Sequence, residues 1–209
     1  MHLKDITKIF IIESPSKDDI VSGKREGVAL SEMLTLARIQ NSCFTVEDKD
    51  TLTKILGQIA DEFRSRKMEW AAIYLHFSLH GNKEGVGLTN NEFIDWKEFH
   101  KTIKHFNEAI GYLQVSKFPK FAPINLHFSA CEGFSATTIK DLGEESPYIS
   151  LVGPTCAVDW ADSLMAFSVY YHAIIHKKTG MRRGVEIMNL VNGFDNIFCI
   201  DLMANAELI

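Results

Sequence analysis

The 209-residue sequence has few cysteines, and their spacing excludes several protein classes. Cys43, Cys131, Cys156 and Cys199 are the only four, and no two form a CxxC pair. A disulfide scaffold and a zinc ribbon are therefore not expected, which leaves a cysteine free for chemistry. Prolines number five, and no Pro-, Gly- or Ser-rich stretch divides the chain, so residues 1–209 read as a single domain. Long hydrophobic runs are also missing. No stretch approaches the roughly 20 apolar residues of a membrane helix. Met1–Asp5 opens without an apolar core, and Ile9–Ile12 is too short for a signal peptide, so no membrane partner and a cytoplasmic location are expected. Basic residues are outnumbered, 22 against 27, for a net charge of −5. That balance argues against a nucleic-acid partner, because coating phosphates needs surplus Lys and Arg. A hydrophobic share of 46% with 23% charged residues excludes a disordered chain.

What is present is an alternation of short apolar runs with helical periodicity. Ile9–Ile12 reads as a strand buried on both faces. Leu30, Met33, Leu34 and Ala37 fall on one helix face. Ser42–Val46 predicts a second strand, followed by a helix carrying Leu52, Ile55, Leu56, Ile59 and Phe63. Ala72–Leu79 is the third strand. Asp95-Trp96-Lys97-Glu98 reads as a capping box that opens a helix with Trp96, Phe99, Ile103, Phe106 and Ile110 on one side. Pro123–Ala130 and Ile149–Gly153 predict further strands. Ser163–His176 and Arg182–Val191 predict helices, and Ile197–Leu202 a last strand. Strands alternating with helices predict right-handed crossovers and an α/β chain whose sheet is mostly parallel. Chemistry in such sheets collects beyond the carboxyl ends of the strands.

One internal echo places the chemistry. Ile73-Tyr74-Leu75-His76-Phe77-Ser78 recurs as Ile124-Asn125-Leu126-His127-Phe128-Ser129. Two residues beyond the first stands His80, then Gly81; two beyond the second stands Cys131, then Glu132 and Gly133. If the segments are adjacent strands in matching register, about 4.8 Å apart, His80 and Cys131 leave the sheet side by side. An imidazole that takes the proton of a thiol makes a nucleophilic thiolate. The amides of Gly81 and Cys131 are the natural donors for an oxyanion. Gly133 lets the chain turn without a Cβ clash.

Leu79-His80-Gly81 followed by Ser129-Ala130-Cys131-Glu132-Gly133 resembles the caspase-like cysteine peptidases, which include caspases, metacaspases, separases, legumains and bacterial CHAT-domain proteases. The histidine lies 51 residues before the cysteine, near the spacing of about 50 in the caspase signature. The S-A-C-x-G form is closest to CHAT-type proteins. The segments Leu151–Pro154 and Val158–Asp162, with Phe167, Tyr170 and Tyr171, are similar to the stretch after the fifth strand in those proteins. The resemblance implies a three-layer α/β sandwich with a six-stranded, mostly parallel sheet. It also implies a cysteine endopeptidase with Cys131 as nucleophile and His80 as base, acting on protein or peptide substrates in bacterial antiviral defence or regulated death. Ser129 stands where caspases have Gln and metacaspases an acidic residue, a position that lines the primary pocket. Asp159, with Asp162, would give that pocket a preference for Arg or Lys. Asp162 also fits a helix N-cap.

Other readings stay open. A caspase-like scaffold without catalysis, a ligand-binding doubly wound domain, and an enzyme using the dyad on a thioester or small amide fit the same motifs. Cys43, Cys156 and Cys199 read as packing, and His76 and His127 as hydrogen-bonded core residues. His172 and His176 have metal-ligand spacing but no third ligand, so no metal and no cofactor are expected. The glycines of Gly81–Gly87 lack a P-loop ending and read as a flexible loop. Ser135–Pro147 is the expected site of processing by an activating partner or protease, and the last strand near Cys199 is the candidate homodimer edge.

Overall fold

The structure is a computed structural model that describes residues 7–66, 72–113, 120–143 and 145–203. Met1–Asp5 and one residue of the Ser135–Pro147 segment, Glu144, lie outside them. β1 (Thr7–Ser14) leads through α1 (Lys17–Ser22) and α2 (Glu26–Leu36) to β2 (Gln40–Thr45), and α3 (Lys49–Arg66) leads to β3 (Ala72–Asn82). A short hairpin of β4 (Gly85–Gly87) and β5 (Phe93–Asp95) precedes α4 (Trp96–Ile110) and β6 (Ile124–Phe128). A 3-10 helix (Gly133–Leu142), β7 (Ser150–Pro154), α5 (Trp160–Tyr171), a π turn (His172–His176), α6 (Met181–Val191) and β8 (Phe198–Leu202) complete the order.

The main sheet runs β2-β1-β3-β6-β7-β8, parallel throughout except for antiparallel β8. β4 and β5 extend the tip of β3 and bring the sheet to eight strands. The α/β class and the six-stranded, mostly parallel core agree with the sequence pattern. Phe10 and Ile12 face a core shared with α3 and α4, whereas Ile9 and Ile11 face one shared with α2, α5 and α6. Two covered faces explain the unbroken apolar run of β1. On α4 the five apolar side chains named above are buried, each contributing on the order of 1.5–3 kcal/mol relative to exposure. Asp95 caps that helix by accepting from the Glu98 amide at 2.7 Å.

Three local expectations are corrected. The Gly81–Gly87 stretch is an ordered hairpin in which Asn82 Oδ1 accepts from the Glu84 and Gly85 amides. α5 starts at Trp160, so Asp159 occupies the N-cap and Asp162 lies in the first turn. Cys156 is exposed in the loop after β7, not packed.

Strand order reverses direction around β1: its partners β2 and β3 follow it on opposite sides. In open α/β sheets, ligands bind beyond the carboxyl ends of the strands at such a reversal, here between β1 and β3.

Candidate active site

β3 and β6 pair with Ile73 opposite Ile124 and His76 opposite His127, the register that the repeated sequence implies. The pairing runs one residue past β6, since the Ser129 amide donates to Phe77 O at 2.8 Å. Still further out the two chains touch. A Cβ on Gly81 would lie 2.9 Å from Ala130 Cβ and 3.0 Å from Cys131 O. Only a residue without a side chain permits this approach, and it brings the His80-Gly81 backbone against Ala130-Cys131.

His80 is half exposed, and its ring meets Trp160 edge-on at 5.1 Å. Its Nε2 lies 2.6 Å from Asp19 Oδ2. The carboxylate accepts only, so Nε2–H donates and Nδ1 is left as the basic lone pair of the neutral ring. Asp19 is held by a capping box on α1: Ser16 Oγ accepts from the Asp19 amide, while Asp19 Oδ2 accepts from Ser16 N and Oγ. Burial by itself would raise the Asp19 carboxyl, but the bonds from Ser16 and His80 outweigh it and hold the group at about 2. Asp19 follows β1 and His80 lies near the end of β3, so the pair joins the two chains at the strand reversal. Sequence reading missed Asp19. The available signal was Ser16-Lys17-Asp18-Asp19, a capping pattern directly after Pro15.

Cys131 is half-buried, and its Sγ–H reaches Val158 O at 3.6 Å. The chain turns sharply just after it. The left-handed residue of this turn is Glu132, with φ 54°, and not Gly133. Glu132 Oε2 accepts from the Lys83 amide, tying the turn to the β3–β4 hairpin. Gly133 is needed for space: a Cβ there would stand 2.6 Å from Phe128 Cβ. Asp159 and Asp162 are exposed at the start of α5, flanking the Trp160 that touches His80.

Ser129 lies beneath this surface, buried. It donates to Glu26 Oε1 at 3.1 Å, so the contact with His76 Nε2 at 2.8 Å is donated by His76. Tyr171 Oη bridges His76 Nδ1 and His127 Nδ1 at 3.1 and 2.8 Å. The two histidines are thus core residues in a polar network. Burial lowers His127 well below its ordinary value, and the neighbouring His76 adds to the shift. Among the described residues, Glu26 Oε2 and His127 Nε2 find no hydrogen-bond partner. Glu26 is the second functional candidate that sequence reading missed, because its burial beside Ser129 depends on how α2 packs.

Among the described residues, no group of three or more His, Cys, Asp or Glu could hold a metal ion. His172 and His176 stack at 5.2 Å, and His176 Nε2 contacts Ala37 O. No described helix is long and apolar enough to cross a membrane.

No family model and no curated protein matches the sequence. Among solved structures, the chain is similar to a secreted C11 cysteine protease from Bacteroides thetaiotaomicron in complex with an irreversible peptide inhibitor. The TM-score is 0.57 at 8% identity, over 96% of this chain and 67% of that one. At that identity the likeness establishes the architecture: this chain has the caspase-like α/β fold of a C11 cysteine protease.

Proposed function

We propose that the chain is a cysteine endopeptidase in which Cys131 is the nucleophile and His80 the general base. The observation that carries this reading is the assembly at the strand tips: Gly81 packs on Cys131 while Asp19 holds the far nitrogen of His80. His80 Nδ1 takes the thiol proton, and the thiolate attacks the scissile carbonyl. The amides of Gly81 and Cys131 stabilise the oxyanion. The tetrahedral carbon then expels the amine, which takes the proton from His80, and water hydrolyses the thioester. Asp19 is a positioning residue that fixes the ring and its tautomer.

The substrate is a protein or peptide. Asp159 and Asp162, exposed beside Trp160, favour a basic residue before the scissile bond. The S-A-C-x-G motif supports a CHAT-like role in bacterial defence. The decisive experiment compares wild type with Cys131→Ala and His80→Ala on peptides that differ only before the scissile bond. Cys131→Ala is expected to be inactive, and His80→Ala to lose on the order of 10²–10⁴-fold. Cleavage after Arg should outpace cleavage after Asp; the reverse order rejects the acidic pocket. Undiminished cleavage by Cys131→Ala rejects the peptidase assignment.

A further inference from the structure

Cys156 occupies a place in the sheet that the proposed reaction does not use. β6 and β7 run parallel, with Asn125 opposite Ser150, Leu126 opposite Leu151 and His127 opposite Val152. Carried forward along both chains, the same register sets Cys131 opposite Cys156. The paired ladder ends at His127 and Val152, but beyond it the Glu132 amide donates to Cys156 O at 3.0 Å, the bond that a parallel ladder would make beside a 131–156 pair. That backbone bond holds the two segments side by side, and a disulfide requires Cα atoms about 4.4–6.8 Å apart. Both thiols are free, Cys156 exposed and Cys131 half-buried. Each makes only a weak S–H···O contact to the same loop, Cys131 to Val158 O and Cys156 to Ala157 O. The other cysteines are elsewhere. Cys43 lies on β2, at the far edge of the sheet, and Cys199 sits opposite Gly153, farther back along β7.

We propose that Cys156 is a resolving thiol for Cys131 and that the two close a reversible disulfide when a hydroperoxide oxidises the nucleophile. The Cys131 thiolate attacks a peroxide oxygen, the O–O bond breaks, and the departing hydroxide takes a proton to become water. The resulting sulfenic acid is attacked at sulfur by Cys156. The S–S bond forms, the S–O bond breaks, and a second water leaves. Two thiols and one hydrogen peroxide thus give one disulfide and two waters. The disulfide masks Cys131, and a thiol reductant restores it, whereas an unresolved sulfenic acid proceeds to irreversible sulfinic acid. The bond itself rests on the backbone contact between Glu132 and Cys156; its effect on turnover rests on the peptidase reading.

The test treats the full chain with hydrogen peroxide and maps it by non-reducing peptide mass spectrometry. Wild type is expected to lose two of its four free thiols and to yield a Cys131–Cys156 linked peptide, which also forms in a Cys43→Ser/Cys199→Ser variant. Cys156→Ser should accumulate sulfinic acid on Cys131 at the same dose. Peptidase activity should return with dithiothreitol in wild type and stay lost in Cys156→Ser. A different linkage, or no linked peptide while Cys131 becomes sulfinic acid in wild type, overturns the proposal. A linked peptide in a protein without peptidase activity when reduced overturns the peptidase reading and leaves the disulfide standing.

Discussion

Asp19 and the four cysteines carry the predictions that belong to single residues. Asp19→Asn keeps the size of the side chain but removes the charged acceptor from His80 Nε2. It should lower kcat by about tenfold to a hundredfold, a share of what general-base catalysis supplies, with KM unchanged and partial rescue by Asp19→Glu. An equal loss through KM alone would assign Asp19 to substrate binding. Its contribution to stability has a definite pH window. The folded carboxyl sits at about 2 against an ordinary 3.8, so the stabilisation is complete above pH 3.8 and disappears as pH falls through about 2. Its size is on the order of 1–2 kcal/mol, read as the difference in urea unfolding between wild type and Asp19→Asn. Burial pushes the Cys43 thiol up to about 12 and raises Cys199 as well, so both are poor nucleophiles near neutrality. Iodoacetamide at neutral pH should therefore label Cys131 and exposed Cys156 ahead of the other two, scored by peptide mapping. Prompt labelling of Cys43 would contradict the partial burial of its side chain.

At the scale of elements, the site depends on how closely two strand tips approach. Gly81→Ala drives a methyl into Ala130 and the Cys131 carbonyl, separating the tip of β3 from that of β6. An overpacked contact of this kind costs about 1–3 kcal/mol in stability. A displacement near 1 Å can cost about a hundredfold in rate. Activity is therefore expected to fall by roughly that factor while thermal unfolding stays cooperative. Gly133→Ala presses instead on Phe128 Cβ, inside the core, and should register mainly as lost stability of about 1–3 kcal/mol. Comparable rate losses in both variants at equal stability would deny Gly81 its particular place beside Cys131.

For the whole molecule, the buried network joining the central strands to α5 makes folding sensitive to acid. His127 is fully buried and pairs with Tyr171. Burial and the nearby His76 lower it well below its ordinary value of 6.5. The unfolded chain takes up a proton below 6.5, whereas the folded chain resists it, so stability falls on acidification. The unfolding free energy of wild type minus that of His127→Leu should decline by up to about 1.4 kcal/mol per pH unit between about pH 7 and pH 5. A flat difference would mean that His127 titrates freely in the folded state.

The sequence by itself determined the alternation of strands and helices, the two buried faces of β1 and the pairing of β3 with β6. It could do so because periodicity and register are local, and the repeat at Ile73 and Ile124 reported the pairing of β3 with β6 directly. Boundaries shifted where caps competed, as at Asp159 and Asp162. Only the tertiary structure decided what surrounds His80 and Ser129. Asp19 reaches His80 because β1 ends at the strand reversal, and Ser129 is buried because α2 brings Glu26 over it. Cys156 left the packing group because it stands exposed in the loop after β7. The four cysteines, equivalent by composition, become one candidate nucleophile, one exposed neighbour and two edge-strand thiols once side chains distant in sequence share a sheet end.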